Sequence, residues 1–571
     1  MTKYNQFYIQ KRTGTYADAL AAVGLSKMIW AISRGTLETE VIEESGSFRV
    51  KLAESIDLEQ ADYSVLQREP LFYFIQTKPE ETPPAGARTF NYIENKARAD
   101  TLREARKRKK AGQDLSELPE PPRIFYSYQK INILQGINVR NKLFEEIWST
   151  SLDDLAESVK NKLASLGIGQ LSGDINTKFR PKIPAVQVFN PAIGKGINRP
   201  KPDSAARASL PSVFTDWFEE WLRFIGSEVV LWGYTIGDDI KMMVPVPGNI
   251  GMGNLETLNR LELTPVWNSR KADIFAVFDL VTFLLGKSEK KEIDEWAYIT
   301  PQGMTPRDVI SSVQTAYFKS LGSARPVSNI SSVGLPDWFQ IYDENDINRW
   351  TNLIEEHKKA LQLLDEDKHE EASLLQLYRD FLSASDWIVF LRFLGSYGPL
   401  IMSRRDKNRP IRSFQSSNLE VLFRMSKIGL PVKEIIENDG FRGIARAIKQ
   451  ATVSEQYLKS KGQQVFDIKY GLFQEIKRKA KFREELLCVI AEFVNEFNYE
   501  NARREEQIRD KPGRRRKRVS EQELSQFGEL LDRYKGQKET EAIAMLLIAF
   551  ASAKDDKTHE DNDYTEEEVG I

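Results

Sequence analysis

The sequence predicts an α+β N-terminal region followed by an all-α helical bundle, in a chain of more than one domain. The chain has 571 residues, which is too long for one hydrophobic core and suits roughly two to four domains. Residues up to about 335 mix strand and helix patterns, whereas later residues show almost only helical periodicity. We therefore assign 1–335 to a mixed α/β region, 336–554 to a helical bundle, and 555–571 to an acidic tail that we expect to be disordered.

The composition is that of an ordinary globular protein. Hydrophobic residues make up 41% and charged residues 29% of the chain, and no run of about 18 apolar residues is present. Cys488 is the single cysteine, so no disulfide can form within the chain, and we predict a buried thiol and a cytoplasmic location. The formal net charge is −2, so any surface for nucleic acid must be local.

Capping and turn residues separate the predicted elements of the N-terminal region. Thr15, followed three residues later by Asp18, predicts a capping box at the start of a helix. Ser45-Gly46 predicts a turn between two strands. Periodicity and apolar runs predict, in order, a helix from residue 15, two strands within 37–52, a buried strand at 71–75, a basic helix at 95–112, a strand at 185–189, an aromatic-rich helix at 211–226 and a β-hairpin within 229–246.

The C-terminal region is predicted to be helical throughout. Short polar connectors separate its periodic segments, which favours an antiparallel bundle. The predicted helices are 346–365, 371–393, 418–428, 432–451, 473–497 and 521–553.

Few residues in this chain could carry hydrolytic chemistry. There are three histidines, and His357 and His369 lie among Glu and Lys on stretches that we predict to be polar. No Cys/His zinc spacing and no nucleophile–base pattern stands out. Gly286-Lys287-Ser288 resembles the end of a P-loop, but Val281 occupies the position of the required glycine. We therefore expect no catalytic residues, no metal and no cofactor.

The loop at 190–203, NPAIGKGINRPKPD, combines backbone freedom with cationic side chains. Gly194 and Gly196 allow close approach of the backbone to a partner. The other residues that we expect to contact DNA are a possible base probe, Asn198, and three cations, Lys195, Arg199 and Lys201. Such a loop suits phosphate contacts with one polar side chain left for a base edge, although an ordinary solvated surface loop has the same composition.

Four basic segments stand out in a chain whose net charge is close to zero. Each alone is typical of a solvated face, but together they favour a polyanionic partner. Besides the loop at 195–201, they are the helix with Arg103, Arg106, Lys107, Lys109 and Lys110; the segment 404–412 with Arg404, Arg405 and Arg412; and the run Arg514, Arg515, Arg516, Lys517 and Arg518.

Asp238 and Asp239 carry the main enzymatic alternative. They follow Gly237 at the predicted hairpin tip, where two carboxylates could hold Mg²⁺ as in palm-type nucleotidyl enzymes. Asp and Gly are also the residues that turns prefer, and we identify no further acidic strand. A scaffold protein that binds no nucleic acid is the second alternative.

Taken together, four features resemble the large subunit of type I CRISPR effector complexes (Cascade), of a type I-B-like or neighbouring subtype. The architecture of an α/β part followed by a helical bundle is one of them. The other three are short residue matches: the helix at 15–20 leading to Gly24-Leu25, the segment Asn190-Pro191 with 194–199 and Lys201, and the hairpin residues 231–234 leading to Lys241 and Val244-Pro245.

The resemblance implies a non-catalytic protein of antiviral defence or guided transposition. Guide RNA would read the target, while this subunit would recognise a short flanking motif (the PAM) in duplex DNA and aid R-loop formation. The loop at 195–201 would contact the duplex, with Asn198 probing a base, and the basic helix would steer DNA. The bundle would resemble small subunits and contact the displaced strand through the segments at 404–412 and 514–518. The implied partners are backbone subunits, guide RNA, target DNA and a helicase–nuclease or transposition proteins, with no membrane.

Overall fold

The computed structural model describes residues 3–108, 119–181, 186–193, 216–258, 261–266, 268–290, 305–338, 340–425, 431–507 and 515–555. The chain divides into two compact units, Met1–Leu335 and Pro336–Ile571. The division falls where the sequence changes character. The first unit is α+β and the second is helical, which confirms the predicted fold class.

The N-terminal unit contains two antiparallel four-stranded sheets and one short parallel pair. The first sheet has the order β1-β3-β2-β8, the second has the order β10-β9-β7-β6, and β4 pairs with β5. The strands are β1 Lys3–Gln10, β2 Thr39–Glu43, β3 Ser47–Asp57, β4 Phe74–Gln76, β5 Thr89–Asn91, β6 Trp232–Ile236, β7 Asp239–Pro247, β8 Asn249–Gly251, β9 Ile310–Phe318 and β10 Val327–Gly334.

The helices of this unit are α1 Tyr16–Ile32, α2 Tyr92–Arg108, α3 Ile124–Ile133, α4 Gly136–Ser149, α5 Leu152–Gly167, α6 Trp217–Val230, α7 Met252–Thr257, α8 Ser269–Lys290 and α9 Pro306–Val309. Thr15 caps α1 as predicted, because its hydroxyl accepts a hydrogen bond from the Ala17 amide. The Asp18 carboxylate instead accepts from the Thr13 amide at 3.0 Å, so the predicted reciprocal capping box does not form.

Helices α1 and α6 cross at glycines and form the centre of the N-terminal core. A Cβ atom on Gly24 would lie 1.8 Å from the Leu222 carbonyl oxygen, and one on Gly226 would lie 2.0 Å from that of Leu20. The backbones can approach this closely only because both positions lack a side chain. The aromatic face of α6 is core, as its spacing predicts: Trp217, Phe218, Trp221 and Phe224 are buried.

Two strand predictions in this unit need correction. Residues 186–189 form a turn, in which the Val186 carbonyl accepts hydrogen bonds from the amides of Phe189 and Asn190. Val188 is buried, but the Tyr16 hydroxyl satisfies its carbonyl at 2.8 Å in place of a strand ladder. The strand predicted at 71–75 is Phe74–Gln76, because the chain before it turns around the Arg68 carbonyl.

The C-terminal unit is a helical assembly whose described elements are α10 Glu344–Gln362, α11 His369–Ala384, α12 Trp387–Asp406, α13 Ser416–Met425, α14 Val432–Glu437, α15 Asp439–Ala451, α16 Val453–Ser460, α17 Leu472–Lys479, α18 Arg483–Gln507, α19 Glu521–Arg533 and α20 Gln537–Ser552. Four segments predicted as single helices are each broken in two. Asp386 and Asn438 cap new helices, and Ser385 adopts a left-handed conformation at φ 50°, which ends α11.

Two side chains in this unit lie opposite to their predicted environments. His357 is fully buried among aromatic rings, although its neighbours in sequence are charged. Its Nδ1 atom lies 2.6 Å from the Tyr378 hydroxyl, and burial lowers the pKa of this imidazole to about 3. Cys488 is exposed, because Leu486, Val489 and Ile490 occupy the buried face of α18.

Candidate nucleic-acid interface

Buried residues flank the segment 194–215, which contains the predicted duplex-binding residues. Lys195, Gly196, Asn198, Arg199 and Lys201 themselves lie outside the described residues. Before the loop, the amide of the fully buried Asn190 hydrogen-bonds the Glu220 carboxyl group. After it, Asp216 caps α6 and forms an ion pair with Lys162 at 2.8 Å. The described residues on either side of the segment 194–215 are therefore fixed at the N-terminal half of α6.

A buried charge network surrounds these anchors. The Arg223 guanidinium group contacts Glu219 at 2.8 Å and Glu220 at 2.5 Å, and Arg12 also pairs with Glu219. Burial raises the pKa of Glu220 to about 7 and the pKa of Asp18 to about 6, even though Arg223 favours the charged form of both. The network lies in the core and holds the helix that carries the loop ends.

The hairpin tip is held by hydrogen bonds to the Asp239 carboxylate and to the Asp238 backbone carbonyl. The Asp239 carboxylate accepts hydrogen bonds from the Tyr317 hydroxyl at 2.6 Å and the Ser320 amide at 2.7 Å. The Asp238 carbonyl accepts from Arg325 at 2.5 Å. In the part of the chain that the structure describes, no group of three or more acidic, histidine or cysteine residues could hold a metal ion. These bonds tie the hairpin tip to the end of β9 and the chain that follows it.

The basic helix is partly neutralised by its own carboxylates. Arg103 is exposed and pairs with Asp100 at 2.9 Å, and Arg98 pairs with Glu94. Arg106 and Lys107 fall within α2. Lys109 and Lys110 lie outside the described residues. The steering role of this helix stays a prediction.

Arg404 is a core residue and not a strand contact, contrary to its predicted role. It is buried, and its guanidinium group pairs with the buried Glu371 of α11. The same group donates to the Pro410 carbonyl at 2.8 Å. Arg404 therefore fixes the loop that follows α12 and leaves no charge for a ligand.

Arg516 needs the same correction. It is buried, lies 2.7 Å from Glu455 of α16, and stacks over the Phe466 ring at 3.6 Å from the ring centre. Glu455 also accepts hydrogen bonds from the backbone amides of Val465 and Phe466 at 2.6 and 2.9 Å. This arginine anchors its segment to α16, whereas its neighbours Arg515, Lys517 and Arg518 are exposed. Arg514 lies outside the described residues.

Helix α16 connects the two C-terminal basic segments. Glu455 holds Arg516, and the next residue, Gln456, donates to the Met402 carbonyl of α12 at 2.8 Å. At the far end of α16, Lys459 lies 3.7 Å from Asp406. Sequence reasoning missed Lys459 and Lys461 because they form no charge run, although their alternation with Tyr457 could have indicated them.

We define the C-terminal basic surface as Arg405, Lys407, Arg409, Arg412, Lys459, Lys461, Arg515, Lys517 and Arg518. Within the described residues, Lys407, Arg409, Arg412, Arg515 and Lys517 are exposed and have no carboxylate partner. The half-exposed Tyr470 lies beside them, since its hydroxyl donates to Asp406 at 3.1 Å. Exposed cations with an adjacent aromatic ring suit a phosphate backbone and its bases.

The comparisons with known proteins assign no family. No protein-family model and no curated protein matches this chain. Among the described residues, every helix is too short or too polar to cross a membrane.

Proposed function

We propose that this chain binds nucleic acid as the non-catalytic large subunit of an RNA-guided CRISPR surveillance complex of type I. The observation that carries the proposal is the C-terminal basic surface. Five of its exposed cations, Lys407, Arg409, Arg412, Arg515 and Lys517, have no carboxylate partner among the described residues, while the buried Arg404 and Arg516 fix the segments that bear them. Because the segments that bear these cations are already fixed, binding a polyanion does not have to order the backbone and costs less conformational entropy.

The proposal divides the work between the two units. The loop at 195–201 recognises the PAM in duplex DNA, and the described residues that flank the segment 194–215 include the buried Asn190 and Asp216. The C-terminal basic surface contacts the displaced strand and aids R-loop formation. Chemistry is left to a recruited helicase–nuclease or to transposition proteins, and the complex acts in the cytoplasm.

The experiment that tests the proposal is a tagged pull-down of the full chain from its native cell. Bound RNA is sequenced and bound proteins are identified by mass spectrometry. We expect short repeat-derived guide RNAs together with backbone subunits present in several copies. Recovery of a protein that is free of nucleic acid and of such partners would contradict the proposal and favour a scaffold.

Variants of the loop test the duplex contact separately. Lys195→Ala and Arg199→Ala should weaken DNA binding for all sequences and lower its salt dependence by about one phosphate contact each. Asn198→Ala should relax the choice of flanking motif, with a loss of roughly 1–3 kcal/mol of discrimination. Gel-shift titrations with duplexes that differ only in the flanking bases measure both effects. Unchanged affinity and motif preference in all three variants would remove this loop from the interface.

A further inference from the structure

The C-terminal unit contains a cleft that shares Lys517 and Arg518 with the C-terminal basic surface but is otherwise formed by other residues. It has a volume of about 430 Å³, a size typical of small-ligand sites. Its walls are the first turns of α15 and α19 and the chain at 517–520. The charged lining residues are Arg442, Arg446, Lys517, Arg518, Asp439 and Glu523.

Two glycines of α15 set the shape of the cleft. A Cβ atom on Gly440 would lie 2.3 Å from the Glu523 carbonyl oxygen, so the backbones of α15 and α19 meet at this point. One turn further on, a Cβ atom on Gly443 would lie 2.6 Å from the Glu523 carboxylate. The missing side chains therefore let the two helices touch and leave Arg442 and Arg446 at the wall of the cleft.

The cations of the cleft are only partly neutralised. Arg446 lies 3.2 Å from Glu523, and Arg518 pairs with Glu505 outside the cleft. Arg442 donates from Nε to the Ile436 carbonyl. Neither Arg442 nor Lys517 has a carboxylate partner among the described residues. Arg442 and Lys517 are therefore the two cations at the wall that no carboxylate neutralises within the described residues.

The Glu523 carboxylate lines the cleft and partly neutralises Arg446. Burial opposes its ionisation, but hydrogen bonds from Ser520 and Arg446 outweigh that effect and hold the pKa of Glu523 below its usual value. Its carboxylate closes a capping box with Ser520 at the start of α19. The N-termini of α15 and α19 both open onto the cleft, and their dipoles add to the positive potential.

We propose that this cleft binds a phosphomonoester of single-nucleotide size. A phosphomonoester carries close to two negative charges at neutral pH, and Arg442 and Lys517 are two cations that could pair with them. Arg442, Arg446 and Lys517 would hold the phosphate, and the volume would take the attached nucleoside. Two sources share this chemistry, a free mononucleotide and the 5′-phosphate end of a nucleic-acid strand. This inference does not rest on the proposed function.

The test is calorimetric titration of the full chain with adenosine monophosphate, with adenosine as the matched ligand without phosphate. We expect the monophosphate to bind and adenosine to bind at least about tenfold more weakly, since charge-assisted hydrogen bonds would be lost. A short oligonucleotide with a 5′-phosphate, compared with its 5′-hydroxyl form, distinguishes the second source. Equal binding of the phosphorylated and unphosphorylated form in both pairs would overturn the proposal.

Variants locate the site. Arg442→Met and Lys517→Met change exposed side chains without a carboxylate partner among the described residues, so both should fold, and each should weaken binding about tenfold. Lys535→Met and Lys538→Met are the control, since these exposed lysines follow the opposite end of α19. If the control variants lost binding while Arg442→Met and Lys517→Met kept the wild-type affinity, the ligand would not bind in this cleft. Arg442 lies outside the C-terminal basic surface, so its effect is separable from the pull-down result.

Discussion

The two units both bury arginine–carboxylate contacts but arrange them differently. In the N-terminal unit, Arg223 joins several carboxyl groups in one network beside the ends of the predicted DNA loop. In the C-terminal unit, Arg404 and Arg516 each pair with one buried glutamate and hold a segment whose neighbouring cations reach the surface. A basic run in sequence can therefore contain one buried arginine that fixes the segment, while the neighbouring cations stay exposed.

The units also bury ionisable groups of opposite kind. Glu220 and Asp18 of the N-terminal unit have raised pKa values because burial penalises their charged forms. The same effect on a base lowers the pKa of His357 in the C-terminal unit. We therefore expect acidification to stabilise the core around α6 and to destabilise the core around His357.

The largest effect should follow from breaking one anchor. Glu455→Leu leaves the Arg516 charge buried without its partner, and removing one member of a buried pair costs about 3–5 kcal/mol. Glu434→Leu is the control, because its partner Arg533 is largely exposed and such pairs contribute less than about 1 kcal/mol. Chemical denaturation followed by circular dichroism measures both. Equal losses of unfolding free energy would show that Arg516 is no anchor.

The second effect concerns the N-terminal unit. The pKa of Glu220 is about 7 in the folded unit, against an ordinary value of 4.5. Between pH 4.5 and pH 7, the folded unit therefore keeps a proton that the unfolded chain has released. The stability from this proton is full below pH 4.5 and is lost as the pH rises through 7, by about 3 kcal/mol. Hydrogen exchange of α6 peptides at several pH values measures it. Glu220→Gln should flatten the profile, and an unchanged slope in that variant would contradict the assignment.

The third effect has the opposite sign and lies in the C-terminal unit. His357 stays neutral in the folded unit down to about pH 3, whereas the unfolded chain takes up a proton near 6.5. Stability is therefore lost as the pH falls below 6.5, by about 1 kcal/mol for the first pH unit. The double variant His357→Phe, Tyr378→Phe removes the titrating group without leaving the Tyr378 hydroxyl unpaired. Hydrogen exchange of α10 peptides should then lose its acid sensitivity, and retention of that sensitivity would contradict the role of His357.

Local signals made much of the fold predictable. The hairpin at Ser45-Gly46, the start of α1 at Thr15 and the aromatic face of α6 each depend on residues that are close in sequence. The breaks within predicted helices were also encoded locally, by caps such as Asp386 and Asn438, but uninterrupted periodicity obscured them. The turn at 186–189 was not predictable, because its stabilising partner is the distant Tyr16.

For the candidate nucleic-acid interface, the sequence predicted only which segments are rich in Lys and Arg. Runs of Lys and Arg indicated where cations cluster, but the runs do not say which of them are buried. That depends on partners far away in sequence, since Glu371 lies 33 residues from Arg404 and Glu455 lies 61 residues from Arg516. His357 was misread for the same reason, as its aromatic neighbours come from separate parts of the chain.

The smallest effect on stability should accompany the largest effect on binding. Lys407→Ser, Arg409→Ser and Arg515→Ser together remove three exposed cations without a carboxylate partner among the described residues, and surface changes of this kind alter stability by less than about 0.5 kcal/mol each. The matched control replaces the exposed Lys433, Lys535 and Lys538 by Ser.

The most direct measurement is the affinity of the full chain for a single-stranded oligonucleotide as a function of salt concentration. If the C-terminal basic surface binds the strand, the plot of log K against log salt should become shallower by about 2 for the triple variant, because each lost phosphate contact is worth about 0.7. The control variant should keep the wild-type slope. Equal slopes for wild type and triple variant would contradict the claim that the exposed cations bind nucleic acid.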